Sequence, residues 1–388
     1  MGMFLLCTFL MIILYPLGID LYLVAVPRIA QTLQGSEAQI HTAFSIYLLG
    51  MAATVLPGGM LADRHGRRPV VLGGALIFVV ASLVAAEATG IAQFYLGRFW
   101  QGVGAGALYI MTFTVLRDVL SQARLAMALS LINGVICVIP VLAPVLGYLI
   151  LSHFEWRGIF VGMALVAAIS ALVNLRLLKE TRPARQPAGA SPLALLGTAP
   201  FMLRALLTSA SVTAILVYVS VSPLVLMTTF GLSPEQYTRL MMAMAGVSMS
   251  ASFLTPLLLR WFGKARVLAL SHLAYLLALL ALLCSSGPEG GLSWLLAGCA
   301  LVCIGFSCGF GVAMGEALDV CGDQVASASA LLCIMQIGLS GLFIWGMGHL
   351  GMPALWMLIL ALLLALLGYL VVKVLLPWRA IRRVRARG

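Results

Sequence analysis

Apolar stretches long enough to cross a membrane recur along the whole chain. A membrane-spanning helix needs about 20 predominantly apolar residues. Segmenting the sequence on that length gives twelve candidate spans, at residues 3–27, 39–62, 70–87, 93–116, 125–151, 157–178, 204–227, 236–259, 266–285, 292–316, 325–346 and 353–376. We therefore predict an all-α membrane protein with twelve transmembrane helices.

Composition supports this prediction and excludes several classes of protein. Of the 388 residues, 62% are apolar and 9% are charged, whereas soluble domains carry about 25% charged residues. No soluble fold of this size buries so much apolar surface. A soluble enzyme, a nucleic-acid-binding domain and a disordered protein are therefore excluded. The eight cysteines form no CxxC pair with partner histidines, so we expect no structural disulfide and no metal site.

The first apolar stretch could be a signal peptide or a retained membrane helix. It lacks a basic segment ahead of its apolar core, and no small-residue cleavage site precedes Pro27 and Arg28. These features favour a retained helix. The longest connection, Lys179 to about Leu203, is rich in proline and divides the chain into two sets of six spans. The predicted divisions are a six-helix bundle over 1–178, a cytoplasmic linker over 179–203, a second bundle over 204–377 and a basic tail over 378–388.

The basic residues predict how the chain is oriented. With the N-terminus inside, 19 of the 23 Lys and Arg residues fall on inner loops or the tail, Arg28, Arg157 and Arg239 fall outside, and Arg98 lies within span 4. Inner loops of membrane proteins are enriched in Lys and Arg. We therefore expect both termini to be cytoplasmic, in a bacterial inner membrane, and the net charge of +11 needs no nucleic-acid partner. The tail either contacts anionic lipid headgroups or acts only as a topology anchor.

The loop between spans 2 and 3 carries the most specific motif. Its residues Gly59, Asp63, Arg64, Gly66, Arg67 and Arg68 resemble the signature loop of the major facilitator superfamily, whose fold has twelve spans in two six-helix halves. Glycine allows close helix approach in lipid at Gly59 and a sharp turn at Gly66. We expect Arg67 and Arg68 to reach Asp118, forming a latch at the inner gate. The alternative is a positive-inside loop with a turn.

The same resemblance implies further partners for this loop. Asp63 can accept hydrogen bonds from a helix N-terminus, which the family places at the start of span 11, near Val325. In the second half, Gly263 and Lys264 fall where Gly66 and Arg67 stand, but Arg260 replaces Asp63. The second loop therefore lacks the acidic residue, which puts a latch there in doubt. We expect Glu316, Asp319 and Asp323 to be solvated.

Span 4 places a charge inside the membrane. Arg98, Gln101 and Gly102 resemble a superfamily motif of proton-coupled carriers. A buried arginine costs about 2.5–3.5 kcal/mol, so it needs an anion, water or a cavity. Asp20 in span 1 lies at a similar depth, and we predict that Asp20 and Arg98 form the proton-coupling pair. A purely structural ion pair is the alternative, and Glu87 is the second candidate for the proton site.

Span 5 and the polar residues of other spans complete the candidate site. Pro140, Pro144 and Gly147 resemble the antiporter motif of the superfamily, although Ile139, Ala143 and Tyr148 replace its glycines. This pattern favours antiport over symport. The residues predicted to line a substrate cavity between the halves are Tyr47, Gln101, Tyr109, Asn133, Tyr218 and Gln336.

Short segments narrow the resemblance further. Gly18–Leu23, with the sequence GIDLYL, and Leu178–Pro183, with the sequence LKETRP, resemble the Bcr/CflA-type drug:proton antiporters. This resemblance implies export of small amphipathic, chloramphenicol-like antibiotics by a monomer that is driven by the proton gradient and uses no cofactor. The alternatives are a major facilitator exporter of a sugar, nucleoside or siderophore, and an integral membrane enzyme. An enzyme is disfavoured because no nucleophile or base accompanies the acidic residues, and an ATP-driven pump because no GxxxxGK[ST] loop exists.

Overall fold

The computed structural model describes residues 2–182, 192–285, 291–321 and 325–385. These ranges form thirteen α-helices: α1 Gly2–Ile12, α2 Leu14–Asp20, α3 Val26–Thr32, α4 Glu37–His65, α5 Arg67–Ala86, α6 Ile91–Val119, α7 Gln122–His153, α8 Trp156–Leu177, α9 Ala199–Pro223, α10 Pro234–Ser285, α11 Leu292–Asp319, α12 Val325–His349 and α13 Ala354–Arg385. Short 3₁₀ segments lie at Leu23–Ala25 and Pro192–Gly197, and a π-helical turn at Leu224–Thr229 follows Pro223.

The helices confirm the predicted twelve-helix membrane fold. Ten described segments are long and apolar enough to cross a membrane, and a shorter apolar stretch at Val138–His153 lies within α7. One of the ten, α10, has 52 residues and is about 78 Å long at 1.5 Å per residue, enough for two crossings. Its backbone breaks at Gly263, where φ is 76°. The chain is therefore a multi-pass membrane protein.

The first span is interrupted in its C-terminal half. It consists of α1, α2, the 3₁₀ segment at Leu23–Ala25 and α3, and α2 ends at Asp20. Non-helical backbone at membrane depth is tolerated only where it is buried in protein or lines a cavity. Residues 20–26 are all buried, which fits that requirement. The interruption places Asp20 beside an irregular segment.

The described chain forms two compact units. The first comprises Met1–Pro187, Ser222–Ala243 and Gly341–Gly351, and the second comprises Ala188–Val221, Met244–Ser340 and Met352–Gly388. Compact units that are defined by contacts need not coincide with divisions that are predicted from the order of the spans. The division into bundles at 1–178 and 204–377, with a linker at 179–203 and a tail at 378–388, therefore stays a prediction.

Close backbone contacts hold α4 and α6 together in the first unit. A side chain at Gly102 of α6 would collide with the Tyr47 carbonyl of α4, and one at Gly50 would collide with the Phe99 carbonyl. Small residues allow such approach between membrane helices. At Gly59 a side chain would fit, because a Cβ there would meet Ile110 at an ordinary 3.7 Å. The prediction that Gly59 provides close helix approach is therefore wrong.

The second unit is held by apolar packing and by buried polar contacts. One apolar cluster brings Phe201 of α9 together with Ala317 of α11 and Leu332 of α12. The Thr213 and Ser340 hydroxyls lie 2.9 Å apart, and the His272 ring stacks on Tyr369 with centroids 4.2 Å apart. Buried hydroxyls that pair across helices satisfy polar groups that lipid cannot.

Candidate functional site

The first part of the site is Asp20, the last residue of α2. Its side chain is buried, at 6% relative exposure. Among the described residues it forms no ion pair within 4.0 Å. Ionisable residues within membrane spans are costly and mark ion or proton pathways. The position and burial of Asp20 therefore fit a proton site.

Arg98 of α6 is fully buried and is held by neutral groups. Its Nη2 donates to the Gly18 carbonyl at 2.9 Å, and its Nη1 donates to Gln101 Oε1. Its guanidinium carbon lies 4.4 Å from the Tyr22 ring centroid and 4.5 Å from that of Tyr47. Asp20 and Arg98, predicted as the proton-coupling pair, form no ion pair within 4.0 Å among the described residues. The groups that contact the arginine charge are a carbonyl, an amide oxygen and two ring faces.

Gln101 and Tyr47, which both contact Arg98, are themselves held by hydrogen bonds to neighbouring helices. Gln101 Nε2 donates to Ser82 Oγ of α5 at 2.8 Å and lies 3.3 Å from Met163 Sδ of α8. The Tyr47 hydroxyl donates to the Tyr15 carbonyl at 3.0 Å. A Cβ at Gly18 would lie only 2.5 Å from that hydroxyl, so glycine is required for the approach. Both residues predicted for a cavity thus join Arg98 in one buried polar cluster.

Tyr22 and Tyr237 are members of the cluster that the sequence analysis missed. Tyr237, near the start of α10, is fully buried, and its hydroxyl lies 3.2 Å from Ser222 Oγ. Asp20 and Tyr22 both interact electrostatically with it. In the sequence, Tyr22 was noted only as part of the GIDLYL segment. Tyr237 lies more than 200 residues from Asp20 in sequence, so no local pattern could join them.

The other predicted cavity residues have varied positions. Tyr109 is half-buried and makes an edge-to-face contact with Tyr15, with centroids 5.3 Å apart. Tyr218 and Gln336 are buried in the second unit, where Gln336 Nε2 lies 3.5 Å from Met314 Sδ. The side chain of Asn133 lies outside the described residues. Glu87, the second candidate for the proton site, is exposed at the end of α5.

The predicted antiporter residues lie in α7, which continues as a helix through Pro140 and Pro144. A side chain at Gly147 would collide with the Leu21 carbonyl. Gly147 therefore allows α7 to approach the interrupted part of the first span, directly after Asp20. The Pro144 carbonyl accepts from Thr238 Oγ1 of α10 at 3.5 Å.

The contact of Arg67 with Asp118, on which the predicted latch depends, is present within the first unit. Arg67 Nε donates to Asp118 Oδ2 at 2.8 Å, and Arg67 Nη1 donates to Asp63 Oδ1 at 3.0 Å. Arg67 and Asp118 have side-chain exposures of 4% and 9%, while Asp63 is 53% exposed. The partner of Asp63 predicted near Val325 falls outside the residues whose side chains the structure describes.

Arg68 does not reach Asp118 as expected. Its Nη2 donates instead to the Leu175 carbonyl near the end of α8, at 2.6 Å. The reason is geometric, because successive residues at the start of a helix point in directions about 100° apart. Arg64 contributes its carbonyl, which accepts from Arg182 Nη1 at 3.0 Å. The loop is thus tied to the end of α8 and to the residues that follow it.

Glu180 is a residue of this region whose role the sequence analysis missed. Its carboxylate accepts from the backbone N–H groups of Arg67 at 2.8 Å and Arg68 at 3.1 Å. It also accepts from the N–H groups of Thr181 and Arg182, each at 3.0 Å. Partial burial by itself raises the pKa of this carboxyl, but the four donors outweigh it, and the pKa of Glu180 lies below its usual value.

Gly66 makes this contact possible. Its φ of 103° lies in the left-handed half of conformational space that favours glycine. A Cβ there would lie 2.5 Å from Glu180 Oε2. The sharp turn predicted at Gly66 is therefore confirmed, and it also makes room for a carboxylate. The only sequence signal for Glu180 was its place in the LKETRP segment.

The second-half loop repeats the turn with fewer partners. Gly263 has φ 76° and ψ 164°, close to the 103° and 163° of Gly66. Lys264 Nζ donates to Asp319 Oδ2 at 3.1 Å, and both side chains are more than 60% exposed. Asp319 is therefore solvent-exposed as expected, but it is also paired, in the manner of Asp118.

Comparisons with known proteins agree with this architecture. The family model of the Major Facilitator Superfamily matches residues 8–338. Multidrug resistance protein MdtL of Klebsiella pneumoniae (strain 342) is 46% identical over 364 residues, which cover 92% of each chain. The protein of the same name from Escherichia coli O81 (strain ED1a) is 44% identical over 369 residues, 94% of this chain and 93% of the relative. The crystal structure of a D-xylose-proton symporter aligns with a TM-score of 0.76 at 15% identity, covering 96% of this chain and 97% of the symporter. That likeness concerns the fold alone.

Proposed function

Because the chain belongs to the Major Facilitator Superfamily, we propose that it is a secondary active multidrug efflux transporter. In this proposal it exchanges protons for small amphipathic antibiotics, chloramphenicol-like in character, by alternating access. The observation that carries the proposal is the 46% identity, over 92% of both chains, to a relative named multidrug resistance protein MdtL. Transport, and not catalysis, is the activity expected of such a chain.

The proton site in this mechanism is Asp20. Burying a charge without a partner is costly, and Asp20 has no ion-pair partner within 4.0 Å among the described residues. Such a carboxyl gains from taking up a proton when its surroundings are dry and from losing it when water enters. Opening of the cavity to one side of the membrane and then the other would therefore load and unload the proton.

Arg98 has a positioning and electrostatic part in the same mechanism. It fixes Gly18, two residues before Asp20, through a 2.9 Å hydrogen bond. It lies against the rings of Tyr22 and Tyr47, and these aromatic side chains would suit amphipathic cargo when the proposed cavity opens. In this proposal Tyr47, Gln101, Tyr109, Asn133, Tyr218 and Gln336 line the drug path.

The setting of the transporter is also part of the proposal. We place it in the bacterial inner membrane with both termini in the cytoplasm, on the distribution of its basic residues. It would act as a monomer among membrane lipids and bind neither a cofactor nor nucleic acid. The proton gradient supplies the energy, with about 2.3 kcal/mol per charge for each 100 mV.

Inside-out membrane vesicles with an imposed proton gradient test this proposal. We expect added chloramphenicol-like drugs to release protons from vesicles that contain the native chain. Asp20→Asn should abolish the release, whereas the control Glu87→Gln, at an exposed carboxylate, should leave it unchanged.

Other outcomes would contradict parts of the proposal. Release that survives Asp20→Asn but is lost in Glu87→Gln would move the proton role to Glu87. A response to a sugar, nucleoside or siderophore, and to no antibiotic, would reject the drug assignment and leave the family membership intact.

A further inference from the structure

The start of the linker contacts the gate loop through several polar groups. Glu180 lies three residues beyond the end of α8, where the linker begins. Arg182 Nη1 donates to the Arg64 carbonyl at 3.0 Å, and Arg68 Nη2 donates back to the Leu175 carbonyl at 2.6 Å. Leu178, between these contacts, is buried at 2% exposure. The polar contacts therefore flank a buried apolar anchor.

Glu180 accepts hydrogen bonds from the first backbone N–H groups of α5, although it lies outside that helix. The first N–H groups of a helix have no partner within the helix. In α5 the first two belong to Arg67 and Arg68, and both donate to Glu180. The third residue, Pro69, has no N–H, and the preceding residue, Gly66, has no side chain that could cap the helix. Glu180 therefore replaces the side-chain cap that α5 lacks.

The capped residue is also the centre of the latch. The same Arg67 that donates its backbone N–H to Glu180 extends its side chain to Asp118 and Asp63. Charge-assisted hydrogen bonds of arginine are directional, so a fixed backbone at Arg67 helps its guanidinium to reach both carboxylates. Glu180 thus acts on the latch through Arg67, without contacting Asp118 or Asp63 itself.

We propose that Glu180 is a positioning residue of the transport cycle, which caps α5 from the linker and holds Arg67 where it bridges Asp63 and Asp118. This role rests on the proposed function, since it assigns a task in alternating access. Glu180 also ties the gate loop to the connection between the two halves of the chain. A conformational change in the loop would therefore move the start of the linker, and a change at the start of the linker would move the loop.

Two measurements on Glu180→Gln test the proposal. Hydrogen exchange of the peptide that contains Arg67 and Arg68 reports the cap without requiring transport. We expect exchange there to be about tenfold faster in the variant, because hydrogen bonds to charged groups are the stronger ones. The maximal rate of drug-dependent proton release, per folded molecule, should fall roughly tenfold, and the drug concentration at half-maximal rate should stay within about twofold.

Matched variants separate positioning from general damage. Glu155→Gln makes the same chemical change at the N-cap of α8, where the side chain forms no capping hydrogen bond, and should change neither readout. Glu180→Asp keeps the carboxylate and should recover part of the rate. Combined with Arg67→Lys, Glu180→Gln should cost less than the sum of the two single effects, because the two residues act in series.

Each outcome decides between the two proposals. Unchanged exchange at Arg67 and Arg68 in Glu180→Gln would overturn the capping role. Faster exchange with an unchanged transport rate, or additive effects with Arg67→Lys, would overturn the role in the cycle. Faster exchange in a chain whose native form moves no protons with any drug would reject the proposed function and leave the cap in place.

Discussion

The two loops that follow spans 2 and 8 share a backbone turn but differ in how they are held. Gly66 and Gly263 have nearly the same ψ, 163° and 164°, with positive φ at both. After Gly66, Arg67 is buried, pairs with two carboxylates and is capped by Glu180. After Gly263, Lys264 is exposed and has Asp319 as its ion-pair partner.

The two loops therefore have the same kind of turn but different charge placement. A positive-φ glycine reverses the chain direction between two helices in both. Buried charges are costly unless fully paired, and among the described residues only the first loop has a buried arginine with two carboxylate partners. In the first half these charges form the proposed gate, whereas the second loop has an exposed ion pair.

The largest expected effect comes from removing each loop's cation. Arg67→Ala leaves Asp118 buried without its partner, and breaking a buried pair in this way costs about 3–5 kcal/mol. Lys264→Ala removes an exposed pair and should cost no more than about 1 kcal/mol. Thermal unfolding in detergent measures both. Equal losses in the two variants would contradict the distinction between a buried and an exposed latch.

Replacing either turn glycine should destabilise the chain less than Arg67→Ala does. The first loop should again lose more stability than the second. At both positions a non-glycine residue is strained, by about 1–3 kcal/mol. A Cβ at Gly66 also meets Glu180 at 2.5 Å, whereas the space around Gly263 is open to 4 Å. Gly66→Ala should therefore lower the unfolding temperature more than Gly263→Ala. If Gly263→Ala were the more damaging, the crowding at Gly66 would have no energetic weight.

Acidification should weaken the first loop through Glu180. Because the pKa of Glu180 is lowered in the folded chain, its contribution to stability is complete above the ordinary glutamate value of about 4.3. The contribution is lost as the pH falls through the lowered pKa. Unfolding temperatures of the native chain and Glu180→Gln should therefore differ at pH 7 and converge in acid. A constant difference at every pH would show that ionisation of Glu180 is irrelevant.

The smallest effect is expected from giving the second loop the acid it lacks. Arg260 precedes Lys264 by four residues, as Asp63 precedes Arg67. Arg260→Asp should therefore form an exposed ion pair with Lys264 across the turn at Gly263, as Asp63 does with Arg67 across Gly66, and such a pair contributes no more than about 1 kcal/mol. The rise in unfolding temperature should disappear in Lys264→Ala. A rise that persists there would have another origin.

Much of this fold could be predicted from the sequence because lipid imposes simple rules. Spans must be about 20 apolar residues long, and the predicted segments agree with the observed helices, including the two crossings of α10 on either side of Gly263. The contact of Arg67 with Asp118 was also predictable, since a strongly specific loop motif and a nearby acidic residue suggested it.

Other contacts depend on long-range geometry that a single sequence does not contain. Arg98 is stabilised by a carbonyl and two rings, and not by the acidic residue at similar depth, because the direction of each side chain decides its partner. Glu180 reaches a loop more than 110 residues away, and Tyr237 joins the cluster around Asp20 from the other half of the sequence. Patterns of 3.6-residue period carry none of this information.

The neutral groups that contact Arg98 bear on whether transport moves net charge across the membrane. In the proposed mechanism the Gly18 carbonyl and the Tyr22 and Tyr47 rings keep the charge of Arg98 in place, so protonation of Asp20 would decide whether the pair is neutral or carries one positive charge. When a neutral drug is exchanged for one proton, one elementary charge crosses the membrane. Such an exchange is electrogenic, so the membrane voltage would drive export even where the pH is equal on both sides.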